Sequence, residues 1–99
     1  MINELKTKRF RMLNALYEFM EGNTQKWCNL KELCMAQGIS FDSNTFEWLH
    51  QEGLINLYGA AYTCFLAHDG VKAIEEAWQN PHKDSYYFPA IANMTPQNG

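Results

Sequence analysis

The side chains with the richest chemistry in this sequence are three cysteines, Cys28, Cys34 and Cys64, and the histidines His50 and His68. Thiolate and imidazole are ligands that zinc prefers, so these residues are the candidates for a metal site. The five residues between Cys28 and Cys34 do not match the short spacing of a zinc knuckle. Cys34 also falls on a predicted apolar helix face, where a small thiol fills core volume. We therefore expect no metal and no other cofactor.

Two further groupings have the residue types of a catalytic site. Cys64 precedes the pair His68-Asp69, but neighbouring side chains in a turn need not converge, and Cys64 belongs to a predicted strand. Glu75 and Glu76 are adjacent acids without a second acid placed to complete a general acid and base couple. The sequence contains no glycine-rich phosphate loop, no serine-centred elbow and no His-Glu-x-x-His helix. We expect a protein without enzyme activity.

The composition is that of one folded domain. A chain of 99 residues holds a single core, and 46% hydrophobic residues supply enough apolar surface to fold it. The net charge of −3 argues against strong non-specific attraction to polyphosphate. The odd number of cysteines and the lack of a secretory leader predict a cytoplasmic location. No apolar run approaches the ~20 residues that cross a bilayer, so we expect no membrane role.

Hydrophobic periodicity predicts three helices in the first half of the chain. Apolar residues recur there at steps of three and four in three stretches, each followed by a glycine that can end a helix. Asn29 with Glu32 forms a capping arrangement, and Asp42 or Ser43 can cap the third stretch. The predicted helices cover residues 4–21, 30–37 and 43–52.

A hairpin and a fourth helix are predicted after Gly53. The β-prone runs 54–58 and 62–66 are separated by a short turn that contains glycine. Helical spacing then returns over residues 70–79, and Asn80-Pro81 ends that helix. Each helix has one apolar face, which must pack on the others and on the hairpin. The predicted core is Tyr17, Trp27, Phe46, Leu49, Ile55, Leu66, Ile74 and Trp78.

This order of elements resembles the winged helix-turn-helix family, of the small bacterial or phage type. Residues 46–55 look like the end of the family's third helix running into a strand, where an apolar-x-x-apolar-x-x-x-Gly-Leu-Ile pattern is usual. Residues 62–71 are similar to the passage from the wing into the closing helix, although Ala67 replaces the usual threonine cap. That loss costs ~1 kcal/mol, and Asp69 near the helix start partly compensates. The resemblance implies an α+β fold with a three-helix core, a two-stranded wing and a closing helix.

An aromatic stretch lies beyond the predicted winged-helix domain. Tyr86, Tyr87 and Phe88 are large rigid side chains of the kind that anchor interfaces, and Pro81 and Pro89 stiffen the backbone around them. Two interpretations stay open, since these aromatics can cover their own core or contact another molecule. The chain then divides into a winged-helix domain over residues 1–81, an extended aromatic segment over 82–91 and a disordered tail over 92–99.

Contact with a protein is our leading hypothesis, in a regulatory or adaptor role. It includes self-association, assembly into a larger complex and inhibition of a target. Trp48 points away from Phe46 on the third helix. It is therefore either an exposed residue that anchors a partner or part of a second row of buried side chains on that helix. Acidic residues beside it would steer partners of positive charge. The predicted contact residues are Glu47, Trp48, His50, Glu52, Tyr86, Tyr87 and Phe88.

DNA binding is the alternative that the resemblance implies, as a small dimeric regulator using the third helix and the wing. Residues 42–53 contain no lysine or arginine, and the wing at 56–63 has no cation. Base contacts without phosphate anchors give little affinity, although a dimer would double weak contacts. The cations of the first helix scatter around it as a solvated surface does. The candidate DNA contacts are Ser43, Asn44, Thr45 and Gln51 for bases and Lys6, Lys8, Arg9 and Lys31 for phosphate.

Overall fold

The computed structural model describes the backbone of residues 2–94 and the side chains of residues 4–94. This part of the chain is an α+β fold with four α-helices and one three-stranded antiparallel sheet, so the α+β part of the prediction is confirmed. The elements in chain order are α1 (Ile2–Met20), β1 (Trp27–Asn29), α2 (Leu30–Ala36), α3 (Ser43–Gln51), β2 (Ile55–Leu57), β3 (Thr63–Leu66) and α4 (His68–Gln79), followed by a 3₁₀ turn (Ile91–Asn93).

The predicted caps set the helix starts. The side chain of Asn29 accepts a hydrogen bond from the Glu32 amide at 3.0 Å and begins α2. The Asp42 carboxylate accepts from the Thr45 amide at 3.2 Å and begins α3. Ala67 precedes α4 without a side-chain cap, as the sequence predicts. These local hydrogen bonds satisfy amide groups that a helix start leaves without partners.

The sheet contains one strand that the sequence analysis missed. The two predicted strands are present as β2 and β3, but β1 pairs with the other side of β3 and gives the order β1-β3-β2. In the register Cys28 lies opposite Cys64, and Trp27 lies opposite Phe65. Three residues are too few to show an alternating pattern, so only tertiary pairing defines this strand.

The core lies between the helices and the inner face of the sheet. Five of the eight predicted core residues are buried, namely Phe46, Leu49, Ile55, Leu66 and Ile74. The prediction is wrong for the two tryptophans, because Trp27 is 54% exposed and Trp78 is 52% exposed. Trp27 stacks on Tyr58 outside the sheet, with ring centroids 4.4 Å apart. Tyr17 is half-buried and donates its hydroxyl hydrogen to Glu75 at 2.9 Å.

Helix α1 contributes more of the core than the sequence analysis assigned to it. Its inner side is lined by six residues that are almost completely buried. Because the helix contacts α2, α3, α4 and β3, that side meets the other elements over its length. The six residues are Phe10, Met12, Leu13, Ala15, Leu16 and Met20.

The C-terminal segment folds back onto α1. Phe88 is 1% exposed and its ring lies edge-on to Phe10, with centroids 5.4 Å apart. The backbone is fixed by a hydrogen bond from the Ala90 amide to Asp84 at 2.7 Å and by one from the Ala92 amide to the Pro81 carbonyl at 2.8 Å. Phe88 therefore covers its own core, one of the two interpretations left open. Of the predicted tail at 92–99, residues 95–99 lie outside the described residues.

Candidate functional site

Helix α3 and the C-terminal segment together form a cluster of aromatic rings. Trp48 lies edge-on to Tyr87 with centroids 6.0 Å apart, and Tyr87 lies 5.2 Å from Tyr86. Tyr86 is 70% exposed, whereas Trp48 and Tyr87 are half-buried. The buried Phe88 anchors this arrangement from below, since it follows Tyr87 directly and lies 5.8 Å from its ring. The side chain of Phe88 thus has a structural role in place of the partner contact assigned to it.

Arg9 places a positive charge against this aromatic cluster. Its guanidinium carbon lies 3.8 Å from the centre of the Trp48 ring, which is a cation–π contact. The Nε atom of Arg9 is buried, and among residues 4–94 it has no hydrogen-bond partner. The two residues are far apart in sequence and on different helices, so spacing alone gives no signal of this contact.

A carboxylate completes the site. The Tyr86 hydroxyl donates to Glu52 at 3.5 Å, which brings the end of α3 to the edge of the tyrosine pair. We define the contact face as Arg9, Trp48, Glu52, Tyr86 and Tyr87. It carries both charge signs around three aromatic rings, a composition suited to recognition.

The other two predicted contact residues belong to the surface of α3. Glu47 and His50 are both exposed. On a helix, residues two positions apart point to nearly opposite sides, so His50 lies away from Trp48. Glu47 adds a negative charge beside the contact face, next to Trp48 in the chain. The structure therefore brings together Trp48, Glu52, Tyr86 and Tyr87, and leaves His50 apart.

Each of the four cations assigned to phosphate has an interaction within the chain. The Lys6 ammonium donates to the Ser85 carbonyl at 2.8 Å and so ties α1 to the C-terminal segment. Arg9 lies on Trp48, and the Lys31 ammonium lies 5.9 Å from the centre of the Tyr62 ring. Lys8 lies near enough to Asp42 for its charge to help lower the pKa of that carboxyl.

Three of the four residues assigned to DNA bases are exposed on α3, namely Ser43, Asn44 and Gln51. Thr45 is 1% exposed, and its hydroxyl donates to the Asp42 carboxylate at 2.6 Å. This hydrogen bond is the main reason that the pKa of Asp42 is lowered. Thr45 therefore belongs to the cap of α3 in place of the base contact assigned to it.

The three thiols lie close to the core. Cys34 and Cys64 are buried and Cys28 is half-buried. Burial raises the pKa of Cys28, and burial with the charge of Cys28 raises that of Cys34 to about 11. Burial, with smaller effects of Cys28 and Cys34, raises the pKa of Cys64 to about 12. Within residues 4–94, no group of three or more His, Cys, Asp or Glu side chains is arranged to hold a metal ion.

A surface groove of about 510 Å³ lies on another side of α1. Its walls carry Lys8 and Arg11 together with Glu4 and Asp84. The groove thus carries two cationic and two acidic side chains, and none of the contact-face residues lines it. The groove gives no reason to prefer an anionic or a cationic ligand.

Comparisons with known proteins found no matching family model, no matching curated protein and no matching solved structure. The interpretation of the site therefore depends on the geometry of this chain. In the described part of the chain, no helix has the length and apolar character needed to cross a membrane.

Proposed function

We propose that this chain is a non-enzymatic winged-helix module that works through protein–protein contact at the contact face. The observation that carries the proposal is a 70% exposed Tyr86 ring packed on Tyr87, which in turn lies against Trp48, the ring that Arg9 covers. Aromatic and arginine side chains dominate the binding energy of protein interfaces. A rigid cluster loses little conformational entropy when it is covered by a partner.

The winged-helix part of the proposal is supported by the order of elements. Helices α1, α2 and α3 come before the antiparallel ribbon of β2 and β3, with the short strand β1 between α1 and α2, and α4 follows the ribbon directly. Gly53, Leu54 and Ile55 connect α3 to β2, which is the position of the Gly-Leu-Ile pattern in the winged-helix family. Function does not follow from this likeness, because one fold serves many partners.

Self-association is the form of contact that the charges favour. The contact face carries the guanidinium of Arg9 and the carboxylate of Glu52, with Glu47 beside it. In a two-fold symmetric dimer each patch meets its own copy, so one patch must supply both members of every contact. A patch with both charge signs satisfies this condition, whereas a patch of one sign repels its copy.

The test is sedimentation equilibrium of the wild-type chain and of two variants. We expect a reversible dimer whose dissociation constant rises at least tenfold in Tyr86→Ala, since loss of an anchoring aromatic costs more than about 1.4 kcal/mol. Met35→Ala is the matched control, because Met35 is 69% exposed on α2 and lies outside the contact face. A wild-type chain that stays monomeric at every concentration, or equal weakening by both variants, contradicts the proposal.

A second measurement separates this function from DNA binding. Labelled duplex DNA is titrated at low and at moderate salt, since affinity that depends on phosphate contacts falls steeply as salt rises. The internal contacts of Lys6, Arg9 and Lys31 lead us to expect no micromolar binding at either salt concentration. Micromolar affinity at low salt that collapses on raising it would favour the regulator hypothesis.

A further inference from the structure

Cys28 and Cys64 occupy directly opposed positions on neighbouring strands. The register of β1 and β3 pairs them, and the Leu30 amide donates to the Tyr62 carbonyl two positions further along the same ladder. Hydrogen-bonded and non-hydrogen-bonded pairs alternate along an antiparallel ladder, so Cys28 and Cys64 form a hydrogen-bonded pair. The Cα atoms of such a pair lie about 5.5 Å apart. A disulfide accepts Cα atoms about 4.4–6.8 Å apart, but it holds the Cβ atoms about 3.5–4.5 Å apart, which is closer than in a hydrogen-bonded pair, so the bond has to draw β1 towards β3.

The two thiols share the inner face of the sheet but differ in their access to solvent. Residues paired across an antiparallel ladder project from the same face. Cys28 is half-buried on the edge strand β1, whereas Cys64 is fully buried on the central strand β3. Cys28 is therefore the more accessible residue of the pair, and the residue opposite it in the register is Cys64.

We propose that Cys28 and Cys64 are a modification site, at which a hydroperoxide converts the two thiols into a cross-strand disulfide. In the first step the Cys28 thiolate attacks the peroxide, the O–O bond breaks, and a sulfenic acid and an alcohol or water form. In the second step the Cys64 sulfur attacks the Cys28 sulfur, an S–S bond forms and the hydroxyl leaves as water. The peroxide is reduced and the two thiols are oxidised, so two electrons are transferred in all.

The partial burial of Cys28 sets the speed of the first step. The thiolate is the reactive form, and burial raises the pKa of Cys28. The oxidation is consequently slow near neutral pH and accelerates about tenfold per pH unit while the pH stays below that pKa. The bond ties β1 to the middle of the sheet and thereby joins the segment between α1 and α2 covalently to the hairpin.

The test is oxidation of the folded wild-type chain by hydrogen peroxide, followed by alkylation of the remaining thiols. Intact mass spectrometry should show the loss of two hydrogen atoms and one alkylated cysteine per chain. Cleavage after lysine and glutamate separates the three cysteines, because Lys26, Lys31, Glu32, Glu47, Glu52 and Lys72 lie between and around them. The expected crosslink joins the peptide at 27–31 to the peptide at 53–72.

Variants and a denatured sample give the controls. Cys34→Ala should form the same disulfide, whereas Cys28→Ala and Cys64→Ala should not form an intramolecular bond. The wild-type map does not depend on whether Cys64→Ala folds. In denaturant the preference for the 28–64 pair should disappear, because the register is lost. A crosslink that contains Cys34, a bond only between chains, or over-oxidation of Cys28 with Cys64 still reduced overturns the proposal.

Discussion

The role of the C-terminal segment can be tested by comparing two aromatic residues that are two positions apart. Phe88 is 1% exposed and packs on Phe10, whereas Tyr86 is 70% exposed. Truncation of a buried phenylalanine costs about 3–5 kcal/mol, from lost burial and from the cavity left behind. Truncation of an exposed side chain changes stability by less than about 0.5 kcal/mol.

These values are large against the stability of such a domain, which is about 5–15 kcal/mol. For a chain of this length each 1 kcal/mol shifts the melting temperature by about 4–8 °C. We therefore expect Phe88→Ala to lower the melting temperature by more than about 10 °C and Tyr86→Ala by no more than about 4 °C.

The assay is thermal unfolding followed by circular dichroism, at one protein concentration low enough to keep the chain monomeric. Dilution matters because dimer formation raises the melting temperature of the wild type by mass action. A Phe88→Ala variant that melts within about 4 °C of the wild type would contradict this role of Phe88. In that case residues 82–91 would be an appendage without a share in the core.

Three further predictions concern the starts of α3 and α4. Gly70→Ala should destabilise the fold by about 1–3 kcal/mol in urea unfolding, because a Cβ at this position collides with the carbonyl oxygen of Leu54; unchanged stability would contradict the close approach. Asp42→Ala should lower the free energy of unfolding by about 1–3 kcal/mol, because it removes the cap of α3 and leaves the Thr45 hydroxyl buried without its partner. Ser43→Ala, at an exposed position, is the control. Because folding lowers the pKa of Asp42, the ionised carboxylate stabilises the fold fully at pH values above its unfolded-state pKa of 3.8. This stabilisation is lost as the pH falls through the folded-state pKa. The stability of Asp42→Ala should lack this part of the pH dependence in acid unfolding.

The parts of the fold that sequence could predict are those decided by near neighbours. The caps at Asn29 and Asp42 act within three residues, and both begin helices where expected. Strand β2 could be predicted from its own run of β-prone residues and from the turn that follows it. By contrast, β1 exists only because β3 offers it an edge, and its three residues carry no pattern of their own.

The tryptophans show why a hydrophobic residue type is a weak guide to burial. Trp78 lies at the helical spacing of the core residues, but its indole nitrogen donates to Asn14 at 3.0 Å and its ring lies against the edge of Phe10. A large amphipathic ring can thus cover the core without entering it. The spacing correctly predicted that Trp78 lies on the core-facing side of α4, but it did not predict that the side chain is half exposed.

Four of the five residues of the contact face were predicted as contact residues from the sequence, and Arg9 was not. Trp48, Tyr86 and Tyr87 were predicted to contact a partner because exposed aromatic side chains anchor interfaces. Their neighbour Arg9 was assigned to phosphate, since nothing in the sequence indicates that it lies on Trp48. The hydrogen bond of Lys6 was not predicted either, because its partner Ser85 lies near the opposite end of the chain.

The most direct test of the contact face uses the three tryptophans as separate reporters. Trp48 lies in the contact face, Trp27 on the outside of the sheet and Trp78 on α4. Their indole N–H resonances are followed by NMR while the chain is diluted. We predict that the Trp48 resonance shifts with concentration in the wild type and not in Tyr86→Ala, while the other two stay constant. A resonance of Trp27 or Trp78 that shifts in place of Trp48 would contradict the account.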